Sequence, residues 1–402
     1  MTVQITLGGF FMTYFVGIDI AKFKHECFIF DHNGEVIHKS FSFPNNMTGF
    51  NFFLSVLNSL DKSQKIKIGF EATGHYGSNL KRFLKDNDYD FMEFNAILIK
   101  QFSKATTLRK TKTDKTDSAL IAAYLSTVDY KPIQNQSYHI QALKSLSRLR
   151  DSLVKNRSQI LVRMTVVLDI IFPEYKPFFD NKLSSKTCIY ILENYSSPEK
   201  ISRMNIESYE KMKRKLRHTI SYARFIQLKE LAKNTVGCCD DIYLFELRAL
   251  LDIYNSINNR VKETEDKIIT EYHKTKSHIH TIKGISELSA AGIYAKYGDI
   301  NNFTSPNQML AYAGMDVSRY QSGEKDVSGR MVKRGSSHLR QIIMNVVDTF
   351  ALHNPIIYDY QSKKISEGKH WRVAQTHVAR KLIRIIYHLE KNDIDFDSKL
   401  LR

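Results

Sequence analysis

Up to about Leu125 the chain alternates short apolar runs with amphipathic stretches, and beyond Ile140 the apolar spacing lengthens to seven. Tyr14 to Ile20 (YFVGIDI) and Ile66 to Glu71 (IKIGFE) are apolar and rich in β-branched residues, which predicts strands. Cys27 to Phe30 predicts another, and Asp31-His32-Asn33-Gly34 forms a hairpin turn into a third, Glu35 to Phe43. Thr48 to Leu60, Tyr76 to Lys85 and Lys115 to Leu125 have helical spacing, and Asp90 to Asn95 reads as a fifth strand. In the later part, Leu146, Leu153, Ile160 and Val167 recur every seven residues, with Leu149 and Ile170 at the offset positions. Leu247, Tyr254, Val261 and Ile268 form a second such series, with Leu250 and Ile257 three places on. Both predict long helices with narrow apolar seams. An antiparallel pair within one chain, a dimerising coiled coil and plain bundle helices all satisfy the pattern.

A three-strand meander followed by helix, strand, helix, strand, helix is the element order of a ribonuclease-H-like fold. The expected class is therefore α/β plus α: an α/β domain over 13–130, a helical coiled-coil region over 131–277 and a small helical domain over 278–402. Residues 1–12 are an extra segment, and Met12 is a second possible start. Near the start of the last domain, Ile282-Lys283-Gly284-Ile285-Ser286 resembles one helix-hairpin-helix turn, a weak signal more often met as an ordinary helix connection. Leu310 to Arg340 is basic and punctuated by glycine, and Ile342 to Phe350 and Val373 to Leu389 read as closing helices.

Charge changes the picture more than composition does. The 402 residues carry 59 Lys and Arg against 42 Asp and Glu, a net charge of +17, which points to a polyanionic partner. The basic residues crowd in three places: around Lys100, Lys104, Arg109, Lys110, Lys112 and Lys115; around Arg319, Lys325, Arg330, Lys333, Arg334 and Arg340; and from Lys363 to Arg384. Three clusters on one chain favour nucleic acid over solvated faces, and counterion release makes such binding steeply salt-dependent. With 21 Tyr and 24 Phe, some rings are available to stack on unpaired bases, though most belong to the core. No apolar run of about 18 residues suggests a membrane span. Four cysteines without paired spacing suit a reducing cytoplasm, and adjacent Cys238 and Cys239 read as small buried residues.

The acids carry the candidate chemistry. Asp19 closes one apolar strand and Glu71 another, where an ionised carboxylate is costly unless paired or bound to a cation. Asp114 and Asp117, three apart, fall on one helix face. Brought to the strand ends they complete a four-carboxylate set of hard oxygen donors suited to Mg²⁺ or Mn²⁺. Two such ions can hold the attacking and leaving oxygens of a phosphodiester. The plainer alternative is that each acid is a solvated surface group or helix cap. Ser322, in the polar loop Tyr320-Gln321-Ser322-Gly323-Glu324-Lys325, has cationic neighbours that would stabilise charge on an attacked phosphate. A turn serine is the commoner reading of that sequence.

Together these segments resemble the DEDD-type insertion-sequence transposases of the "one-ten" group, which includes pilin-gene invertases. The resemblance rests on Phe15-Val16-Gly17-Ile18-Asp19-Ile20-Ala21-Lys22, on Phe70-Glu71-Ala72-Thr73-Gly74, and on Lys112-Thr113-Asp114 with Asp117-Ser118-Ala119. It continues through Leu146 to Tyr175 and through Gly314 to Arg340. It implies a RuvC-like domain holding Mg²⁺ or Mn²⁺ on Asp19, Glu71, Asp114 and Asp117, and Ser322 as a nucleophile forming a covalent serine–DNA intermediate. It further implies a homodimer or homotetramer sharing its active sites, target and donor DNA as substrates, and a structured guide (bridge) RNA in a bacterial or archaeal cytoplasm. Lys112, Lys115, Arg319, Lys325, Lys333, Arg334 and Arg340 are the candidate nucleic-acid contacts. Two departures stand out: Asn95-Ala96 where Asn-Pro is common, and Gly335-Ser336 where Gly-Asn is. The alternatives are a metal-dependent nuclease or junction resolvase using water, and a non-catalytic nucleic-acid-binding protein.

Overall fold

The structure, a computed structural model, describes residues 13–106, 114–132, 138–322 and 325–401. The chain divides into two compact units, Met1–Asn135 and Gln136–Arg402.

The first unit is built on a five-stranded sheet in the order β3-β2-β1-β4-β5. Its strands are β1 (Thr13–Ile20), β2 (Lys24–Asp31), β3 (Val36–Pro44), β4 (Lys65–Glu71) and β5 (Phe91–Phe94). The β1–β2–β3 meander is antiparallel, and β4 and β5 continue it in parallel with β1. Helices α1 (Met47–Ser59), α2 (Ser78–Asp86), α3 (Ala96–Thr106) and α4 (Asp114–Thr127) accompany the sheet. Strand alternation sends Val16, Ile18 and Ile20 into one core with Phe43, Phe50 and Phe53, where Phe43 and Phe53 stack at 4.6 Å. Phe15, Phe94, Ile121 and Leu125 form the core on the other face, beneath α4. α3 is absent from the sequence expectation, in which Lys100 and Lys104 marked only a basic stretch. Asn95 begins it, its Oδ1 accepting the Ile97 N–H at 3.0 Å. Ala96 is thus the first helical residue, the position where proline is also favoured, so the departure at Asn95-Ala96 keeps the turn.

His25 lies in the first of these cores, fully buried between Phe43 and Phe50, and neither ring nitrogen has a hydrogen-bond partner. Burial lowers its pKa to about 4, an effect only partly offset by the nearby Asn45 amide. The folded protein therefore binds this proton less readily than the unfolded chain. Stability from this residue is intact above pH ~6.5 and falls by roughly 3 kcal/mol on going down to pH ~4. Urea denaturation of wild type and His25→Phe across that range should show the variant gaining on wild type as pH falls. Parallel curves would contradict the assignment.

The second unit is helical apart from one hairpin. α5 (Tyr138–Ile171) and α11 (Asp241–His273) run antiparallel against each other. Arg150 meets Glu265 at 2.7 Å and Arg157 meets Asn258 at 2.9 Å, partner numbers falling as α5 rises. Of the two heptad series, Ile160, Val167, Leu247, Leu250 and Tyr254 are buried in this seam, but Leu149 and Ile170 stay exposed. Between the long helices lie α6 (Tyr175–Phe178), α7 (Lys186–Asn194), α8 (Pro198–Ser202), α9 (Ile206–Lys215) and α10 (Tyr222–Lys233), packed around Phe172, Tyr175 and Phe225. Cys238 and Cys239 are exposed, contrary to expectation. Their segment runs along the end of α5, where Cys238 donates its N–H to the Ile170 carbonyl at 2.9 Å and Gly237 leaves no room for a side chain.

The C-terminal part comprises α12 (Glu287–Tyr297), α13 (Pro306–Tyr312), α14 (Ser337–Leu352), α15 (Pro355–Ser366) and α16 (Trp371–Asn392). Their core includes Leu339, Ile343, Leu382 and Ile386, with Leu143 and Tyr272 from the long pair. Gly284 takes φ +89°, and a Cβ there would lie 2.4 Å from the Thr349 carbonyl oxygen. The Gly-Ile turn is thus a tight connection pressed on α14. Between α13 and α14 the expected loop is instead an antiparallel hairpin, β6 (Val317–Ser322) and β7 (Lys325–Met331). The strand sequences VSRYQS and KDVSGRM hold too few apolar residues to set a period, so periodicity gave no sign of them.

Candidate active site

Two glycine–acid pairs define the site in the first unit. In the parallel pairing of β1 and β4, Gly17 sits opposite Gly69 and Ile18 opposite Phe70. One step on, the same register sets Asp19 level with Glu71 at the ends of both strands. With alternating side chains, Asp19 shares a face with Gly17, and Glu71 with Gly69. α4 covers that face. A Cβ on Gly17 would stand 2.3 Å from the Ala122 nitrogen and 2.4 Å from the Ser118 oxygen, and one on Gly69 would meet Leu125 at 3.2 Å. The helix thus rests on bare backbone at Gly17, and its first turn carries Asp114 and Asp117. Asp19, Glu71 and Asp117 are each half-buried. The Asp114 side chain lies outside the described residues.

A third strand adds an acid that sequence reasoning missed. Glu26 of β2 is the direct partner of Asp19 across the antiparallel pair, and Glu71 follows the last β1–β4 pair, Ile18 with Phe70, by one residue. Directly paired residues hold their Cβ atoms about 5 Å apart, close enough for carboxylates to repel. Glu26 is only 5% exposed and accepts a 2.7 Å hydrogen bond from Ser40 Oγ of β3. Ser40 Oγ lies 3.3 Å from Ser118 Oγ, itself fully buried on α4 next to Asp117. Glu26, Ser40 and Ser118 thereby tie the first turn of α4 to the sheet. The available signal was strand alternation: on a strand pairing with β1, Glu26 must share a face with either Asp19 or its neighbours.

Among the described residues no three His, Cys, Asp or Glu side chains close on a common point. What fits a divalent ion is the donor set: hard carboxylate oxygens on adjoining strand ends beneath a helix end bearing more of them.

The remaining candidates fall in several places. Lys115 is exposed on the first turn of α4, and Lys112 lies outside the described residues. In the second unit Ser322 is the last residue of β6, paired with Lys325 of β7; Arg319 precedes it on the same strand. The side chains of Ser322, Arg319 and Lys325 lie outside the described residues. Lys333, at φ +57°, and Arg334 are exposed just beyond β7. Arg340 is half-buried, and its Nη1 donates to the Ala313 carbonyl at 3.2 Å, so part of its guanidinium holds the chain that enters the hairpin. Ser336 caps α14 by accepting the Leu339 N–H at 3.3 Å. Asn and Ser are comparable caps, which explains why Gly-Ser serves here for Gly-Asn.

Comparison with known proteins gives two family matches in chain order. A model described as Transposase matches residues 16–173, and one described as Transposase IS116/IS110/IS902 family matches residues 276–362. The IS117 mini-circle protein of Streptomyces coelicolor is 22% identical over 408 aligned residues, covering 96% of both chains. A Streptomyces clavuligerus protein of insertion element IS116 is 21% identical over 92% of this chain and 93% of its own. The transposase for insertion sequence element IS1111A of Coxiella burnetii is 22% identical over 59% of this chain and 54% of its own.

Proposed function

From the premise that the chain belongs to the IS110-type DEDD transposases, enzymes that cut and join DNA, we propose that it is an RNA-guided recombinase working through a serine–DNA ester. The observation that carries the reading is the shared register of Asp19 and Glu71 under the helix turn bearing Asp114 and Asp117. These four residues would hold the divalent metal that the DEDD family implies, with Mg²⁺ or Mn²⁺ favoured by an all-oxygen donor set. A bound ion of this kind withdraws charge from a scissile phosphate. The α/β unit is read as RuvC-like, and the α5–α11 pair as its coiled-coil insertion.

Ser322 attacks the phosphorus. Its Oγ–P bond forms as the bond from phosphorus to one deoxyribose oxygen breaks, the hydroxyl proton leaves to solvent, and the departing oxygen takes up a proton. A second DNA hydroxyl then reverses the step on the serine ester, so the number of phosphodiesters is conserved without hydrolysis. Lys333 and Arg334, exposed beside the hairpin, would neutralise phosphate, and Lys115 on the first turn of α4 would do the same in the first unit. The net charge of +17 suits simultaneous contact with target DNA, donor DNA and a structured bridge RNA. A homodimer or homotetramer would supply the paired sites that two-ended exchange needs.

The test is to incubate the protein and its co-purifying RNA with end-labelled DNA and look for a denaturant-resistant protein–DNA adduct. The adduct should form with Mg²⁺ and vanish with EDTA. Free 3′-hydroxyl ends without any adduct would instead support the water-using nuclease.

The tie at Glu26 gives a subtler expectation. Ser40→Ala leaves the buried Glu26 carboxylate without its donor and loosens the first turn of α4. The Mg²⁺ concentration for half-maximal cleavage should rise about tenfold, equivalent to ~1.4 kcal/mol, while DNA affinity stays unchanged. A metal titration curve identical to wild type would exclude this role.

A further inference from the structure

A cavity of about 500 Å³ opens beside α16 in the second unit. Its walls are of two kinds. Ile385, Leu389, Phe396 and Leu401 supply an apolar floor, and Tyr360 of α15 closes one side. Arg380, Lys381 and Arg384 line it with positive charge, flanked by His377 and His388. The stripe follows from helical spacing, since 377, 381, 384 and 388 share one face of α16 while Val378, Leu382 and Ile386 face the core.

Among the described residues Arg380, Lys381 and Arg384 make no ion pair. Three acids flanking α16 in sequence are engaged elsewhere: Asp393 and Asp395 with His278 at 2.9 and 2.7 Å, and Glu367 with Lys364 and Lys369 at 2.9 and 2.8 Å. Arg380 Nε is buried without a hydrogen-bond partner. Lys381 Nζ sits 5.1 Å from the centre of the Tyr360 ring and Lys364 Nζ 5.6 Å, so the ring holds cations at the edge of the cavity. Burial, then the charges of Lys369, Lys364 and Arg380, lower the pKa of His377.

A site with surplus cations over an apolar, aromatic-walled floor wants a ligand with an anion at one end and a flat apolar group at the other. An inorganic anion would leave the floor wet. A duplex would present phosphates but keep its bases stacked out of reach. An unpaired nucleotide meets both demands. We propose that this cavity seats one unpaired nucleotide of a DNA or RNA strand, its base on the Ile385–Leu389–Phe396 floor and its phosphate between Arg380 and Arg384. The inference rests on the reading of the chain as a nucleic-acid enzyme, but not on the carboxylate site or on Ser322.

The test is a binding measurement in EDTA, where no cleavage occurs, so its failure is distinct from failure of the catalytic reading. The full-length protein is titrated against fluorescein-labelled oligo(dT), oligo(rU) and an abasic strand with the same number of phosphates. The base-bearing strands should bind about tenfold tighter than the abasic one, as expected for one stacked base. Ile385→Trp fills the floor and leaves every charge; it should shrink that preference to about twofold or less. Arg384→Ala should weaken all three strands and reduce the salt slope by about one. The ratio of the dT to rU affinities identifies which strand is the natural source. Equal affinity for abasic and base-bearing strands, or an undiminished preference in Ile385→Trp, would overturn the proposal in favour of a plain phosphate clamp. If Ile385→Trp does not fold, photocrosslinking wild type to an oligonucleotide containing 5-iodouridine decides the matter. Crosslinks at Tyr360 or Phe396 support the site, and crosslinks confined to other segments refute it.

Discussion

Asp19→Asn should cut DNA strand cleavage by at least about three orders of magnitude while leaving DNA affinity within about twofold. The substitution keeps size and shape and removes one charge opposite Glu26, the partner of Asp19 on β2. Stability should hardly move, because the exchanged side chain is isosteric and only half-buried. A large fall in activity with little change in melting is what a functional acid produces, whereas a structural acid would lose both together. Calorimetric melting in EDTA, set beside the labelled-DNA assay in Mg²⁺, reads the two quantities. A variant that cleaves at a tenth of the wild-type rate or better would remove Asp19 from the chemistry.

Ser322→Ala should eliminate the covalent adduct altogether, with DNA affinity again within about twofold. Alanine is easily held at the end of β6, where the Ser322–Lys325 pairing is made by backbone, so loss of the hairpin does not confound the result. The two variants separate two stages. Asp19→Asn tests the environment of the phosphate, and Ser322→Ala tests the identity of the attacking atom. If Ser322→Ala still gives an adduct, another hydroxyl is the nucleophile, and Ser328, Ser336 and Ser337 are nearby candidates to examine. Of these, Ser336 is already occupied as the cap of α14.

The parts of the fold legible in the sequence are those whose elements bury an apolar side. β1 and β4 announce themselves through Tyr14–Ile20 and Ile66–Glu71 because β-branched and aromatic residues fill the middle of a sheet. The acids at their ends were legible for the same reason, as charges interrupting an apolar run. The hairpin Val317–Met331 was not, since VSRYQS and KDVSGRM contain too few apolar residues to set a period. α3 was hidden by its own lysines, which drew the eye to charge rather than to Ile97, Ile99 and Phe102. Glu26 was hidden by the absence of a motif: a lone acid between His25 and Cys27 acquires meaning only when register sets it against Asp19. The heptad series led to the right helices but to two wrong inward positions, Leu149 and Ile170, because a real α-helix drifts against a strict seven-residue repeat.

The ends of the β6–β7 excursion touch. Gly314 and Gly335 pack so closely that a Cβ on Gly335 would lie 2.4 Å from the Gly314 nitrogen, and Ser336 donates its N–H to the Tyr312 carbonyl at 2.8 Å. With its base pinched shut in this way, the stretch from 315 to 334 leaves and re-enters the helical core at one point, held there by Met315, which is fully buried in that core. Residues can therefore be added between its two strands without parting α13 from α14, so long as Met315 is kept.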